Sequence, residues 1–408
     1  MTSKERIFAA FNGLPSDHVP LTTWCFGFGA PPELQWQRNG RPVEYWYSLR
    51  MEHIHTLPQA WTIEDDFARV QAWERWGVDD ILDVSVPWSL NPTVIWEDRT
   101  EHKGESYPIL AREYSTPAGP IVHSVRKTGE EIADGWVVQP EFVPLIEDFN
   151  IPRGVKHLVG TPRDIEKLKY LYAAPDNRVR QWFAERMEQI QAFAEDTGTV
   201  VQAWSAFGMD AVVWFTGVEN AVLLAIDHPT DFHDLIDLID STDAARTQLA
   251  AEHPGVDLVV QRGWYSSTDF WSPSLFDEFL GGGIRRNAEI THRAGKKFAY
   301  VMTTGVEILG SRLADAGVDV LYFVDPVQDH IDLDTIRNAV GSEITLVGGT
   351  NSLSLVPENQ NRIDNEVHKA IETLGKSGRF ILHPADAIFP DTPVDGVKRL
   401  IEAWMKYR

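Results

Sequence analysis

Along the last hundred or so residues, short apolar runs alternate with polar or glycine-bearing loops and with stretches of helical periodicity. The runs are KFAYVMTTG (297–305), VLYFVDP (320–326), TLVGGTN (345–351) and RFILHPADAIFPDTP (379–393), and helical stretches such as VEILGSRLADAG and RIDNEVHKAIETLG lie between them. Strands too apolar to face water, each leading into a helix, predict a parallel sheet covered by helices. Four such units in a row make half of a (β/α)8 barrel, in which the residues just after each strand build the active site. The pattern therefore also names candidate chemistry: Met302, Thr303, Thr304, Asp325, Asn351, His383 and Asp386.

The rest of the chain extends the same rhythm. Residues 3–12 read as a helix capped near Thr2 or Ser3 and ended by Gly13 and Pro15. VPLTTW (19–24) is the expected first strand, followed by FGFGAPPELQWQRNGRPVEYWY, a loop rich in Gly, Pro and aromatics that would lie over the barrel mouth. A helix over 58–76 and a second strand at VDDILDVSV (78–86) come next. From Trp88 to about Gly160 the period changes to two, in TVIWEDR, PILAREYST, GPIVHSVRKT and GWVVQPEFV, which predicts a β-hairpin insertion at the C-terminal face. Helices are expected at 162–172, opened by TPRD, and at 176–196; VVQAWSA (200–206) and DLVVQRGW (257–264) are strands three and four, and a last helix covers 394–407. The expectation is an α/β protein: one (β/α)8 TIM-barrel domain over 1–408 with a β-hairpin insertion after strand two, at 88–160.

Several of these segments resemble the uroporphyrinogen decarboxylase superfamily: the opening SKERIFAAFNGLPSDHVPL, the block FWSPSLFDEFLGGGIRRNAEITHRAGKKFAYVMTTG, the unit LADAGVDVLYF and the closing ILHPADAIFPDTPVDGVKRLIEAW. That superfamily holds the heme-pathway decarboxylase and the methyltransferases that feed corrinoid proteins from methanol, methylamines or methoxylated aromatics. The resemblance covers both ends and most of the last 200 residues, while 88–160 matches nothing nameable. It implies the barrel fold; function has to be argued from the site.

Composition narrows the partners. A net charge of -23 argues against nucleic acid, whose phosphates need a basic face. A solvated acidic surface accounts for the charge, with electrostatic docking to a basic partner as the alternative. No apolar run approaches the roughly 20 residues of a membrane span, and the N-terminal segment lacks a signal-peptide core, so a cytoplasmic location is expected. Cys25 is the single cysteine, which excludes an intramolecular disulfide and a multi-cysteine zinc site.

In the methanol and methylamine branch that the resemblance points to, zinc is held by a His-x-Cys pair followed by Gly after one strand and by a Cys after the last. Aligned through Gly305, this chain has Met302 and Thr304 at the first two ligands, and Asp386 stands at the third. Zinc-thiolate chemistry is therefore not expected. The decarboxylase pattern has an Arg-rich R-Q-A-G-R stretch near the first strand for a substrate with many carboxylates; here the sequence is TTWCFGFGAPP, and Arg38, Arg41 and Arg50 come later among Trp and Tyr. A polyanionic tetrapyrrole is thus disfavoured.

His383 and Asp386, three apart in the final loop, are read as catalytic or substrate-orienting, with structural use or a metal site shared with Asp325 or Glu307 as the alternatives. Of fifteen tryptophans, Trp24, Trp204 and Trp264 close predicted strands and are the ones expected to line a pocket for a ring; core packing explains most of the others. In QRGWYSSTDFWSP, Arg262 could hold a carboxylate or phenolate, or pair with an inward acid, and Tyr265 could protonate a leaving oxygen. The TTG and GGTNS loops resemble anion-binding turns, yet no G-x-G-x-x-G, Walker, G-x-S-x-G or H-E-x-x-H motif is present.

The reading that follows is a methyltransferase taking a methyl group from a small, methoxylated aromatic donor. The resemblance implies a corrinoid (cobalamin) on a partner protein as the acceptor, with folate as a second candidate. Tyr265, His383 and Asp386 would act in catalysis, and Trp24, Trp204, Arg262, Trp264, Met302, Thr304, Asp325 and Asn351 would bind the donor. Alternatives are a metal-independent decarboxylase of a small aromatic or cyclic acid, and a non-catalytic corrinoid or tetrapyrrole carrier, the latter weakened by the lack of an Asp-x-His-x-x-Gly motif. The loop at 25–50 and the stretch at 88–160 are expected to serve as lids.

Overall fold

The structure, a computed structural model, describes residues 1–25, 36–38, 41–43, 63–102, 104, 106–128, 142–148, 150–385, 387–388 and 392–408. The expected lid at 25–50 therefore lies almost wholly outside the described residues, as does Asp386. In chain order the strands are β1 (Trp36–Arg38), β2 (Arg41–Val43), β3 (Ile81–Ser85), β4 (Ile95–Glu101), β5 (Ile109–Thr116), β6 (Gly119–Arg126), β7 (Gly154–Lys156), β8 (Val200–Ala206), β9 (Leu258–Gln261), β10 (Lys297–Val301), β11 (Val320–Val324), β12 (Thr345–Asn351) and β13 (Phe380–Ala385).

Seven strands form one curled sheet in the order β13-β12-β11-β10-β9-β8-β3, parallel at every step. Between successive strands from β8 onward the chain passes through helices, and β8, β11 and β12 are buried at every position, as a sheet covered on both faces requires. The two edges meet at residues 20–25. Leu382 N donates to Pro20 O (2.9 Å), Thr22 N to Leu382 O (3.0 Å) and Ile388 N to Trp24 O (2.8 Å), while on the other side Asp79 N donates to Leu21 O (2.8 Å). The expected first strand, VPLTTW, thus pairs through isolated bridges at Leu21 and Cys25 rather than as a full ladder.

At the N-terminal end, the helix Ser3–Asn12 begins with a reciprocal capping box between Thr2 and Glu5 and ends at Gly13, whose φ of 63° suits a residue without Cβ. It lies under the sheet: Thr345 Oγ1 donates to Ala10 O (2.9 Å), and Arg6 pairs with both Asp17 and Asp79. At the other end, Arg246 is fully buried on the helix Pro229–Glu252. It donates to Val86 O through Nε (2.9 Å) and Nη2 (2.6 Å) and to Tyr172 Oη (2.8 Å), and it pairs with Asp243 at 3.2 Å. Asp243 in turn accepts from the backbone N–H groups of Phe207 (2.9 Å) and Gly208 (2.7 Å). One helix thereby ties down the chain leaving β3 and the chain leaving β8.

The barrel interior is polar at one level. Asp83 of β3 accepts from Gln202 Nε2 and from Trp204 Nε1 (2.7 Å), and Tyr322 Oη donates to Gln202 Oε1 (2.7 Å). Arg69 pairs with Asp80 and lies 3.9 Å from Asp83. Burial pushes the Asp80 carboxyl up to about 6, against the pull of Arg69.

Between β3 and β8 the chain forms a four-stranded antiparallel sheet in the order β4-β5-β6-β7. Trp96, Tyr114 and Ile121 stand opposite one another across β4, β5 and β6, as do Asp98, Arg112 and His123. The expected strand at GWVVQPEFV falls mostly outside the described residues. His123 is buried beside His157, with ring centroids 6.1 Å apart, and neither His123 nitrogen has a hydrogen-bond partner among the described residues. Among the described residues no single helix is long and apolar enough to cross a membrane.

Two outcomes follow. Replacing Arg246 with Met leaves Asp243 buried without its counter-charge, which costs about 3–5 kcal/mol. Urea unfolding should show that loss, and an unchanged midpoint would remove Arg246 from the framework. Burial first, then His157 and Arg112, pull the His123 imidazole down to about 3, well below its usual value of 6.5. Between those values the unfolded chain binds a proton that the folded one refuses, so stability falls as pH drops through that window. His123→Leu should make the fall in unfolding free energy between neutral pH and mild acid shallower, and identical slopes in the two proteins would contradict this assignment.

Candidate active site

The C-terminal ends of the parallel strands carry the residues that sequence reasoning named, and the fold gathers them unequally. Trp24, Trp204 and Trp264 come together as one stack. Their centroid separations are 5.7 Å (Trp24 to Trp204), 5.5 Å (Trp24 to Trp264) and 6.1 Å (Trp204 to Trp264), with interplanar angles of 17–26°. Trp204 and Trp24 are buried, whereas Trp264 keeps partial access to solvent. Offset stacking at these distances is favourable, so the three rings form one rigid apolar floor.

Phe323 completes this floor and was not foreseen. Its ring lies 5.4 Å from Trp24, 5.5 Å from Trp264 and 5.2 Å from His383. It reaches them because its φ is +61°, in the left-handed region, where β11 slips register against β12 between Tyr322 and Val324. Gly348 makes the slip possible: a Cβ there would sit 2.3 Å from Val324 O. The pair Gly348 and Gly349 therefore lies inside β12 and accommodates a bulge, instead of forming the anion-binding turn its sequence resembled. The TTG turn does bind an anion, but one of the chain's own, since Gly305 N (2.7 Å) and Val306 N (3.2 Å) donate to Asp329.

His383 is buried within β13, its Nδ1 3.1 Å from Thr22 Oγ1, so the closing segment and the last strand meet on its ring. Asp386 lies outside the described residues, and the pairing of the two stays an expectation. Met302 is wholly buried just beyond β10. Thr304 donates to Asp269 (2.7 Å). Asn351 donates to Asp325, which also accepts from Val327 N (2.9 Å) and Gln328 N (3.1 Å), and burial raises the Asp325 pKa. Thr304, Asp325 and Asn351 thus serve loop ends in this structure.

Arg262 just beyond β9 is buried and doubly paired, with Nε to Asp210 (3.0 Å) and Nη2 to Asp148 (3.0 Å), and its guanidinium lies 4.3 Å from the Trp264 ring and 4.9 Å from the Trp214 ring. Nη1 has no hydrogen-bond partner among the described residues. Burial pushes Asp210 up to about 6, while Arg262 and the Tyr265 N–H (3.0 Å) pull it down. The Tyr265 hydroxyl is pushed well above its usual value, first by burial and then by Asp148 and Asp210, so it keeps its proton. Sequence reasoning allowed an acid on Arg262 but did not find Asp148, which comes from a stretch without barrel periodicity, nor Asp210, which reads as an ordinary first-turn acid of Met209–Thr216.

Among the described residues no group of three or more His, Cys, Asp or Glu side chains is arranged to hold a metal. The thioether of Met302 and the Thr304 hydroxyl, already given to Asp269, do not fit a zinc site with imidazole and thiolate ligands.

The family model described as uroporphyrinogen decarboxylase (URO-D) matches residues 145–407. No curated protein matches the chain in sequence. Among solved structures, a methyltransferase from Methanosarcina mazei aligns over 100% of this chain and 99% of its own at 17% identity, with a TM-score of 0.58, a likeness of fold. The apo 3-keto-D-glucoside 4-epimerase YcjR from E. coli covers 62% of this chain and 96% of its own at 10% identity, with a TM-score of 0.36.

Proposed function

The chain belongs to the uroporphyrinogen decarboxylase family, and from that premise we propose that it is a methyltransferase whose donor is a small, uncharged, methoxylated aromatic molecule. The observation that carries this reading is the state of Arg262: the guanidinium at the barrel end is already neutralised by Asp148 and Asp210 and stacked on Trp264. A site for an acidic substrate needs a cation to spare, and a decarboxylase would have to displace a buried carboxylate to obtain one. Flat apolar rings suit an aromatic ether instead.

The acceptor is a corrinoid on a partner protein, with folate as the second candidate; when bound it supplies the nucleophile for the methyl carbon. What the chain contributes is position and a proton. Trp264 and Phe323 hold the donor ring so that the methyl–oxygen bond points out of the barrel, and exclusion of water keeps the departing oxygen from being solvated elsewhere. As that bond breaks, its electron pair stays on oxygen. Tyr265, a phenol that resists ionisation, donates a hydrogen bond to the developing oxyanion, and His383 with Asp386 supplies the proton that the departing oxygen takes up. The antiparallel sheet following β3 is proposed as an insertion that covers the mouth while the donor is bound.

Replacing His383 or Asp386 with Ala should lower turnover of a methoxybenzene donor by about a hundredfold with little change in folding. Normal turnover in both variants would move the site elsewhere. Because the first two zinc positions hold Met302 and Thr304, activity should survive a strong chelator, and full-occupancy zinc in active protein would contradict the reading.

A further inference from the structure

Away from the barrel axis, the antiparallel sheet and the chain that leaves β3 border an open cavity of about 330 Å³. Its walls are aromatic on three sides: Trp88 from the segment after β3, Trp96 and Tyr114 from β4 and β5, and Phe142 from the chain that returns toward the barrel. Trp96 is 50% exposed and Phe142 39% exposed, so two large flat faces stand open to solvent among the described residues. Tyr114, by contrast, is buried and forms the floor.

Arg112 lies between the open faces, its guanidinium 4.7 Å from the Phe142 ring and 5.5 Å from the Trp96 ring. Two hydrogen bonds to Asp98, at 2.6 and 2.7 Å, consume its charge. The guanidinium is therefore held flat as part of the wall and offers no uncompensated charge to a ligand. Single aromatic residues scattered on a surface need no explanation, but converging ones around a concavity do. The volume falls at the low end of the ~300–1,000 Å³ typical of small-molecule sites.

We propose that this cavity is a binding site for a planar, uncharged aromatic compound of one or two rings, separate from the barrel-end cluster. The ring packs against the exposed faces of Trp96 and Phe142, beside the Arg112 guanidinium, and rests on Tyr114. Anionic analogues are disfavoured because Arg112 is spent on Asp98 and the chain as a whole carries a net charge of -23. Trp88 touches the ligand on one side and, on the other, packs against Phe207 beyond β8 (5.8 Å), so occupancy bears on the loop that Asp243 anchors at the barrel end. The proposal does not depend on methyl transfer, since binding is measured without acceptor or turnover.

The test is calorimetric titration of the purified full chain with 2-naphthol, with decahydro-2-naphthol as a non-planar control of similar size and 2-naphthoate as the charged one. Binding of 2-naphthol is expected, weakened at least about tenfold in Trp96→Ala and in Phe142→Ala, with the two controls binding more weakly. Thermal unfolding is followed in parallel, and Trp96→Leu, which keeps apolar bulk but removes the flat ring, decides the matter should an alanine variant fold poorly. No binding at millimolar 2-naphthol, undiminished binding in the variants, or tighter binding of 2-naphthoate would each overturn the proposal. So would sedimentation showing a dimer that Trp96→Ala dissociates, because the open rings would then be covered by a second copy of the chain.

Discussion

Closure of the parallel sheet rests on six residues that never become a regular strand. Residues 20–25 exchange backbone hydrogen bonds with both edges of the seven-stranded sheet, through Leu21 on the β3 side and Pro20, Thr22 and Trp24 on the β13 side. The same segment delivers Thr22 to His383 and Trp24 to the stack with Trp204, Trp264 and Phe323. Closure and site assembly are consequently one event. Without it two edges would stand open, each a row of unpaired donors and acceptors, and the aromatic floor would lose the ring that contacts all the others.

Buried charge explains how an acidic chain keeps a neutral barrel end. Asp83, Asp210, Asp243 and Asp325 are all buried near strand ends, and each is held by named donors: Trp204 and Gln202, Arg262 and a backbone N–H, Arg246 and two backbone N–H groups, Asn351 and two backbone N–H groups. Burial raises the pKa of every one of them. Those donors oppose the rise, because an unpaired buried carboxylate would cost several kcal/mol. The cations near the barrel end are committed to this task, which is why the surface left for a ligand is made of rings.

The parts of the fold that repeat with a fixed period were legible. β8 and β12 run over the residues that the apolar runs marked, and β10, β11 and β13 start within a residue of them, because a strand buried on both faces must be apolar throughout. The closing segment was placed correctly, though its pairing by isolated bridges could not be read from VPLTTW. Phe323 was invisible for a different reason: within VLYFV it is an ordinary apolar strand residue, and only the slip opposite Gly348 turns it inward. The two glycines were noticed but assigned to the wrong cause, since a glycine that relieves a bulge and one that cradles an anion look alike in sequence. Arg262 illustrates a contact that no spacing encodes. Its partner Asp148 is more than a hundred residues away in a stretch whose period is not that of the barrel.

That stretch also contains the start of the family match. The family match begins at residue 145, after β4, β5 and β6. Strands β7 to β13 fall within the match, whereas the closing segment at 20–25, β3 and strands β4 to β6, with Trp96, Arg112 and Tyr114 on one face of the antiparallel sheet, precede it. Asp148 sits where the two meet and binds both Trp214 and Arg262. A displacement that drew Asp148 away would leave Arg262 with Asp210 alone and would also remove one of the charges that raise the Asp210 pKa. The electrostatic character of the barrel end is therefore coupled to the position of Asp148, just inside the start of the family match.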